Sequence, residues 1–551
     1  MKILFLIPPL SEYSQAIHRL PATLAGELAQ DNNEVLTIDL NCLFDNFIIS
    51  QDFLSYFDFK FAFYKSELEF LKNSHPDDEK NILYLEKLLE KEIVFKNKYL
   101  RFLEKYPNPK MYISNILKKT FLAQKRFYES MLELISNFKN LFFLGSSKNP
   151  EKYNFFYDWI KDSVLPKISD FYPDFICFTI ESTCNNKWNS VESSYFLSGL
   201  IKKQLDTKII ILGSYITNHQ KYFVKNSRFD CIDYYIYGEC DIALKKITDN
   251  EDISSIPNII YNTKDGCKIN EFKKVTRFMY KLPNYNGINF NDYLLPSPVV
   301  ELEASIGCYW AKCEYCSFCY GLTFKQRNID DVINEIKTHV FKGIKHFVFT
   351  DLEIHPNYAR ELANKIIENK LNIYYYALFR FEKEFIHKDI WKLLFKSGLR
   401  IAQFGLESGS DRILKIMNKG TDSATNALIL RAIPRPQIKT YVTTINTFPS
   451  NTKEDLDLTR EFLRDNYNYI DKVFSSNLVM YDYSPMAKHP ENFNLTKKDF
   501  EKQGSLYIMP NEINSYSIKT DEFTENLYKE KYDFQPASRT YSLVYFANKY
   551  P

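Results

Sequence analysis

Short apolar segments alternate with amphipathic ones along residues 298–481. The apolar segments read VVELEAS, HFVFTD, IYYYALFR, RIAQFGLES, YVTTINTFP and KVFSSNLVMY. Apolar runs of this length, separated by helical patterns, are typical of parallel strands in βα units. The pattern therefore predicts a partial or full (β/α) barrel over residues 296–482, and groups that carry chemistry would lie just beyond the carboxyl ends of its strands.

The N-terminal half shows the same alternation with an interruption. Strand patterns at Ile3–Ile7, Val35–Leu40 and Phe175–Thr179 enclose a stretch, about 45–165, in which leucines recur at helical spacing. We therefore predict a doubly wound α/β domain over residues 1–250 with a helical insertion. Residues 251–295 are predicted to be a linker, and residues 483–551 carry no motif that indicates a role.

Charge and composition exclude several classes of protein. The formal net charge is +2, so there is no basic excess of the kind that nucleic-acid binding requires. No stretch approaches eighteen consecutive apolar residues, the length that predicts a membrane span. Pro8 and Pro9 cut short the apolar N-terminus, which fits a strand better than a signal peptide. We expect a cytoplasmic protein without nucleic-acid or membrane partners.

Four of the ten cysteines lie within twelve residues, at Cys308, Cys313, Cys316 and Cys319, directly after the first barrel strand. Thiolates this close together suit a soft metal centre. Structural zinc sites normally divide four ligands between two separate knuckles, whereas an iron–sulfur cluster with three cysteine ligands leaves one iron open. The spacing favours iron–sulfur over zinc, but it does not decide which three cysteines ligate.

The segment GCYWAKCEYC (307–316) resembles the cluster loop of radical S-adenosylmethionine (SAM) enzymes, in particular their cobalamin-binding branch. This resemblance implies that Cys308, Cys313 and Cys316 hold a 4Fe–4S cluster and that SAM chelates the fourth iron. Tyr315 takes the aromatic position before the last ligand and is expected near SAM. The family more often has three residues between the first two cysteines, and this chain has four.

A second register is open. Cys308, Cys316 and Cys319, with Phe318 as the aromatic residue, match relatives that have a longer first gap and that in some cases modify peptides. Cys319 is thus a bystander, an alternative ligand or a catalytic hydrogen donor.

Three further segments resemble parts of the family barrel that contact SAM. FGLESGSDRILKIMNKG (404–420) resembles the fourth-strand segment and implies that Glu407 reaches SAM. FVFTDLEIHPN (347–357) resembles the second-strand segment and implies that Asp351 meets the SAM amino group. Arg380 stands where relatives often place an arginine near the SAM carboxylate, which a forked guanidinium suits.

Residues 1–250 resemble, more loosely, the cobalamin-binding domain of this branch. The segments IILGSYIT and YGEC imply that Gly213, Ser214, Gly238 and Glu239 border a cobalamin site. Ser214 replaces a usual glycine, and Cys240 replaces the last glycine of the G-E-G turn. Cobalamin binding is therefore left open at this point.

The resemblance implies reductive cleavage of SAM to a 5′-deoxyadenosyl radical that modifies an unactivated carbon. An electron donor such as flavodoxin or ferredoxin, and a small-molecule or peptide substrate, would be the partners. The first hypothesis is cobalamin-dependent C-methylation of a peptide or natural product. The second is cobalamin-independent epimerisation, cross-linking or rearrangement, with a vestigial cobalamin domain. The third is a binding protein that a metal stabilises and that has no catalytic activity.

Overall fold

The fold is described from a computed structural model, which covers most of the chain. The described residues are 1–9, 17, 19–116, 119, 121–142, 153–181, 187–274, 282–316, 323–476, 478, 480–481, 484–493, 495, 501–503 and 506–508. Cys319 and Phe318 lie outside them, as does most of the C-terminal region 483–551. The second cluster register therefore stays a prediction.

The N-terminal domain begins with β1 (Lys2–Ile7), α1 (Arg19–Ala29) and β2 (Glu34–Asp39). The helices α2 (Leu40–Ile48), α3 (Asp52–Ser74), α4 (Glu79–Lys105), α5 (Pro109–Ser114), α6 (Phe121–Phe142), α7 (Phe155–Trp159) and α8 (Leu165–Phe171) follow. The domain ends with β3 (Phe175–Thr179), α9 (Lys187–Lys202), β4 (Lys208–Leu212), α10 (Ser214–Asn218), α11 (Gln220–Asn226), β5 (Tyr234–Ile236), α12 (Cys240–Thr248), β6 (Ile259–Thr263) and β7 (Gly266–Ile269).

These strands form one sheet in the order β2-β1-β3-β4-β5-β6-β7, and its first five strands are parallel. The predicted doubly wound domain is therefore confirmed. Every residue of β3 is buried, as expected for a parallel strand covered on both faces. The hairpin β6–β7 pairs antiparallel with β5 and covers that edge of the sheet. The sheet thus continues to Ile269, into the region that the sequence assigned to a linker.

The helical insertion lies between β2 and β3, and aromatic rings fill its core. Phe53 packs against Phe95, Phe138 and Phe155, with ring centroids 5.5–6.0 Å apart. In α4 the residues Leu85 and Leu88 are buried, as their helical spacing predicts. Among the described residues no helix is long and apolar enough to cross a membrane.

The C-terminal domain begins with β8 (Val299–Leu302), β9 (Ser305–Ile306), β10 (Lys325–Gln326), α13 (Ile329–Phe341), β11 (His346–Phe349), α14 (Pro356–Glu368), β12 (Tyr374–Phe379), α15 (Lys388–Ser397) and β13 (Leu399–Glu407). It continues with α16 (Asp411–Ile416), α17 (Ser423–Ala432), β14 (Lys439–Ile445), α18 (Lys453–Asp465), β15 (Lys472–Ser476), β16 (Met480–Tyr481), α19 (Pro485–Lys488), β17 (Glu501–Gln503) and β18 (Leu506–Ile508).

Six parallel strands make up the barrel wall, in the order β15-β14-β13-β12-β11-β8. Their positions agree with the six apolar segments of the sequence. Strands β8 and β15 are the two edges of this sheet, so the barrel is partial.

The N-terminal domain covers one of these edges. Ile17 forms a parallel bridge with Val300, and its amide donates to the carbonyl of Val299 at 3.0 Å. Nearby, the buried guanidinium of Arg19 pairs with Glu335 at 3.2 Å and with Glu303 at 3.3 Å. Hydrogen bonds and ion pairs therefore fix the two domains to each other beside β8, the strand that leads into the cysteine loop.

Candidate functional site

The cysteine loop leaves the barrel directly after β8, and the antiparallel pair β9–β10 closes its base. Cys308, Cys313 and Cys316 form no disulfide and are half-buried. The amide of Cys316 donates to the carbonyl of Cys313 at 3.2 Å, which forms a turn between these two residues. The three predicted ligands are thus not tied up in disulfides, and one loop carries all of them.

The four residues 417–420, just after α16, form the platform on which this loop lies. The amide of Glu314 donates to the carbonyl of Met417 at 3.1 Å. The indole Nε1 of Trp310 donates to the carbonyl of Asn418 at 2.9 Å. Gly420 has φ +72°, and a Cβ atom there would lie 2.4 Å from the Trp310 ring. The platform therefore holds the loop by backbone acceptors and by the absence of a side chain.

Arg380 contacts both the cysteine loop and the platform. Its side chain is buried, and its guanidinium lies 4.2 Å from the centroid of the Trp310 ring. It also donates to the carbonyl of Lys419 at 2.6 Å and to the carboxylate of Glu382 at 2.9 Å. The contact with a SAM carboxylate stays a prediction. The observed contacts make Arg380 a brace between platform and loop.

Asp351 anchors the start of the loop. Its carboxylate accepts from the amide of Ala304 at 2.9 Å and from the hydroxyl of Ser305 at 2.6 Å. Burial raises the pKa of this carboxyl, and these hydrogen bonds oppose the shift. The predicted contact with the SAM amino group is also untested, and it would have to share a carboxylate that already accepts two donors.

Glu407 lies at the carboxyl end of β13, facing the platform. Its Oε1 accepts from Nζ of Lys419 at 3.2 Å, and its Oε2 accepts from the hydroxyl of Thr443 at 3.3 Å. The backbone at Glu407 has φ +62°, where β13 shifts register against β14. Gly405 leaves room for the ion pair, because a Cβ atom there would lie 2.5 Å from the Glu407 carboxylate.

Tyr315 packs beneath the loop in an apolar cluster with Met417 and Phe448. Its ring meets that of Phe448 edge-on, with centroids 6.4 Å apart. Burial raises the pKa of its hydroxyl, and the nearby Glu407 adds to the shift.

The sequence reasoning missed Glu353, two residues after Asp351. Within the described residues its Oε2 atom is buried and has no hydrogen-bond partner. Burial raises its pKa to about 8, while the cations Lys419 and Arg380 oppose the shift. The second acid in TDLE was the available signal. A carboxylate in this position needs a donor, and a ligand ammonium would supply one.

The two glycines predicted to border cobalamin lie at the carboxyl edge of the N-terminal sheet, and both are packed within the chain. Gly213 has φ +125°, and a Cβ atom there would lie 2.3 Å from the carbonyl oxygen of Ile180. Gly238 donates its amide to the Thr217 hydroxyl at 2.8 Å, and a Cβ atom there would lie 2.9 Å from Phe272. Close packing against neighbouring residues of the chain thus accounts for the glycine at each position.

The two side chains of this predicted set also have partners within the chain. Ser214 donates to the carboxylate of Glu181 at 2.9 Å. Glu239 forms an ion pair with Lys325 of β10, and both side chains are more than nine-tenths buried. This pair brings the edge of the N-terminal sheet against the strand that closes the cysteine loop.

The donor set of the loop suits an iron–sulfur cluster. Among the described residues, no three His, Cys, Asp or Glu side chains converge closely enough to hold a single metal ion. In a 4Fe–4S cluster each thiolate binds a different iron, so the thiols need not meet at one point. Burial raises the pKa of the Cys313 thiol, and the nearby cations Lys419 and Arg380 oppose this shift. Three thiols on one loop, with two cations beside Cys313, fit an anionic cluster.

Comparison with known proteins identifies the C-terminal domain. Residues 302–463, from the end of β8 into α18, match the Radical SAM superfamily. The chain therefore contains a radical SAM domain at these residues. A radical SAM domain implies a 4Fe–4S cluster and SAM as cofactors.

Individual relatives are distant. A protein of Methanocaldococcus jannaschii, provisionally named a methylthiotransferase, is 23% identical over 55% of this chain and 67% of its own length. The radical SAM methyltransferase TsrM of Kitasatospora setae, solved with tryptophan and a SAM analogue, has a TM-score of 0.56 at 13% identity. That match covers 96% of this chain and 89% of TsrM.

The cobalamin-dependent radical SAM enzyme OxsB, solved with aqua-cobalamin and SAM, has a TM-score of 0.54 at 16% identity. The match covers 66% of this chain and 59% of OxsB, so the chain spans about two thirds or less of two of these relatives. The likeness to TsrM and OxsB confirms the predicted fold class, a doubly wound domain followed by a radical SAM barrel.

We predict that Gly420→Ala displaces the cysteine loop, because the added methyl group overlaps Trp310 and the backbone has a positive φ. Backbone strain and overpacking together should lower the free energy of unfolding by about 1–3 kcal/mol. Iron content per chain after anaerobic reconstitution should fall clearly below that of the unaltered protein.

Gly343→Ala is the matched control. Gly343 also has a positive φ, +82°, but a Cβ atom there would meet nothing within 4 Å. Equal iron contents in the two variants would show that Gly420 does not position the loop.

Proposed function

We propose that the protein cleaves SAM reductively at a 4Fe–4S cluster and methylates an unactivated carbon with the help of cobalamin. The observation that carries this proposal is the likeness to TsrM, which extends over both domains. The ion pair between Glu239 and Lys325 supports it, because it brings the carboxyl edge of the doubly wound sheet next to the cysteine loop. Ligands of such sheets bind at that edge.

Within this proposal each group has a defined task. Cys308, Cys313 and Cys316 bind the cluster, whose chemistry is the one-electron reduction of SAM. Asp351 and Arg380 keep the loop in place. Positioning of this kind matters because a radical must be generated close to the hydrogen it abstracts and away from water. A small molecule or a peptide is the proposed substrate, and a flavodoxin or ferredoxin the proposed electron donor.

The first test decides the cluster register. Cys319→Ala should retain the iron and the visible absorption of the reconstituted protein, whereas Cys313→Ala should lose both, because only the latter removes a proposed thiolate ligand. Iron analysis and electron paramagnetic resonance (EPR) of the reduced proteins measure the outcome. The reverse result would assign the cluster to Cys308, Cys316 and Cys319.

We further propose that Glu353, and not Asp351, receives the SAM ammonium group. The Asp351 carboxylate already accepts from two donors, whereas the buried Oε2 of Glu353 accepts no hydrogen bond among the described residues. A hydrogen bond between charged groups would remove the penalty of leaving this oxygen desolvated.

Glu353→Gln should therefore weaken SAM binding roughly ten- to a hundredfold, since a hydrogen bond to a charged group contributes about 1.5–3 kcal/mol. Anaerobic titration calorimetry of the reconstituted protein measures the affinity. Glu361→Gln, on the exposed face of α14, serves as the control and should leave it unchanged. Equal affinities in both variants would reject the assignment to Glu353.

Anaerobic reconstitution with SAM and reductant, with and without hydroxocobalamin, tests the main proposal. Formation of 5′-deoxyadenosine would establish radical chemistry. Stoichiometric retention of cobalamin after gel filtration is expected, because the likeness to TsrM and OxsB includes the N-terminal domain. A protein that makes 5′-deoxyadenosine but retains no cobalamin would contradict the methyltransferase proposal.

One observation favours a second candidate, cobalamin-independent epimerisation, cross-linking or rearrangement with a vestigial cobalamin domain. Gly213, Ser214, Gly238 and Glu239 all make their close contacts within the chain. The same reconstitution distinguishes the two, since this candidate requires radical formation without bound cobalamin.

A further inference from the structure

Lys419 is a buried lysine in the platform, residues 417–420, on which the cysteine loop lies. Its exposed fraction is 4%, and its Nζ donates to Oε1 of Glu407 at 3.2 Å. Burial alone would lower its pKa, but Tyr315, Glu407, Glu353 and Cys313 together raise the pKa well above its usual value. The ammonium group therefore remains charged in its buried position.

The backbone around Lys419 ties its side chain to the cysteine loop. The carbonyl of Lys419 accepts from the Arg380 brace at 2.6 Å. Its neighbours Asn418 and Gly420 have φ values of +54° and +72° and contact Trp310 of the loop. A shift of the platform would therefore move the loop and the ammonium together.

A buried ammonium is costly unless nearby negative charge compensates for it. Glu407 supplies one carboxylate. The loop that carries the proposed cluster ligands docks on the residues beside Lys419, because Glu314 donates to Met417 and Trp310 donates to Asn418. A cluster held by three thiolates is anionic and gains a further negative charge when it is reduced. Hydrogen bonds and charges next to a cluster are among the factors that set its reduction potential.

We propose that Lys419 is a positioning and charge-compensating residue of the cluster site: its ammonium holds the Glu407 carboxylate and stabilises the reduced cluster. This inference rests on the proposed binding of the cluster by Cys308, Cys313 and Cys316. It does not depend on cobalamin or on the identity of the substrate.

The test is a redox titration of the reconstituted protein without SAM, followed by EPR. Lys419→Met should lower the ratio of reduced to oxidised cluster roughly tenfold at a fixed potential, a shift of about 59 mV for one electron. Lys419→Arg retains the charge and should restore most of the potential. Glu407→Gln should shift the potential in the opposite direction, because it removes a negative charge that the ammonium neutralises.

Lys415→Met is the matched control, since Lys415 is exposed on α16 and its loss changes the net charge equally. An effect of Lys419→Met no larger than that of the control would overturn the proposal. Shifts of the same sign in Lys419→Met and Glu407→Gln would also overturn it, because a purely structural ion pair predicts that pattern.

Two further outcomes are decisive. If Lys419→Met assembles no cluster, Glu407→Gln decides alone, and an unchanged or lowered potential would reject the proposal. If the unaltered protein assembles no cluster, the proposed function fails, which differs from the failure of the inference about Lys419.

Discussion

The docking of the cysteine loop on residues 417–420 is the contact on which the rest of the site depends. The loop has little regular structure of its own, so neighbouring elements must fix its thiols in space. Backbone carbonyls of Met417 and Asn418 accept from the loop, and Gly420 admits the Trp310 ring. Arg380 then links ring and platform. The proposed radical chemistry needs such fixed geometry, because small displacements of reacting groups cost large factors in rate.

Buried charges of both signs surround this contact. Glu353 and Glu407 lie near the buried Lys419, and Glu353 also acts on the buried Arg380. The buried Asp351 lies at the start of the loop. Burial of single charges would be strongly unfavourable, whereas an interlocked set compensates most of its members. The charged side chains that hold the loop are therefore also of the kinds that bind a charged ligand. The type of side chain alone does not show whether a residue supports the loop or binds a ligand.

The N-terminal domain also contacts the strand and the loop that form the candidate site. Ile17 extends the barrel sheet beyond β8, Arg19 pairs with two barrel carboxylates, and Glu239 reaches Lys325 at the base of the loop. The edge of the doubly wound sheet thus lies against the cysteine loop. This arrangement suits a second cofactor or a substrate between the domains, and it gives the proposed methylation a physical setting.

The amino-acid sequence by itself determined the architecture and the clustering of the cysteines on one loop, because both depend on local order: apolar periodicity defines strands, and one short segment carries the thiols. Only the tertiary structure decided what Asp351, Arg380, Ser214 and Glu239 touch, and it added Glu353 and Lys419. Those contacts join residues far apart in the chain, such as Trp310 with Asn418 and Glu239 with Lys325. A motif states which side chain is present, but its partners depend on how the strands and loops pack, and no local pattern encodes that packing.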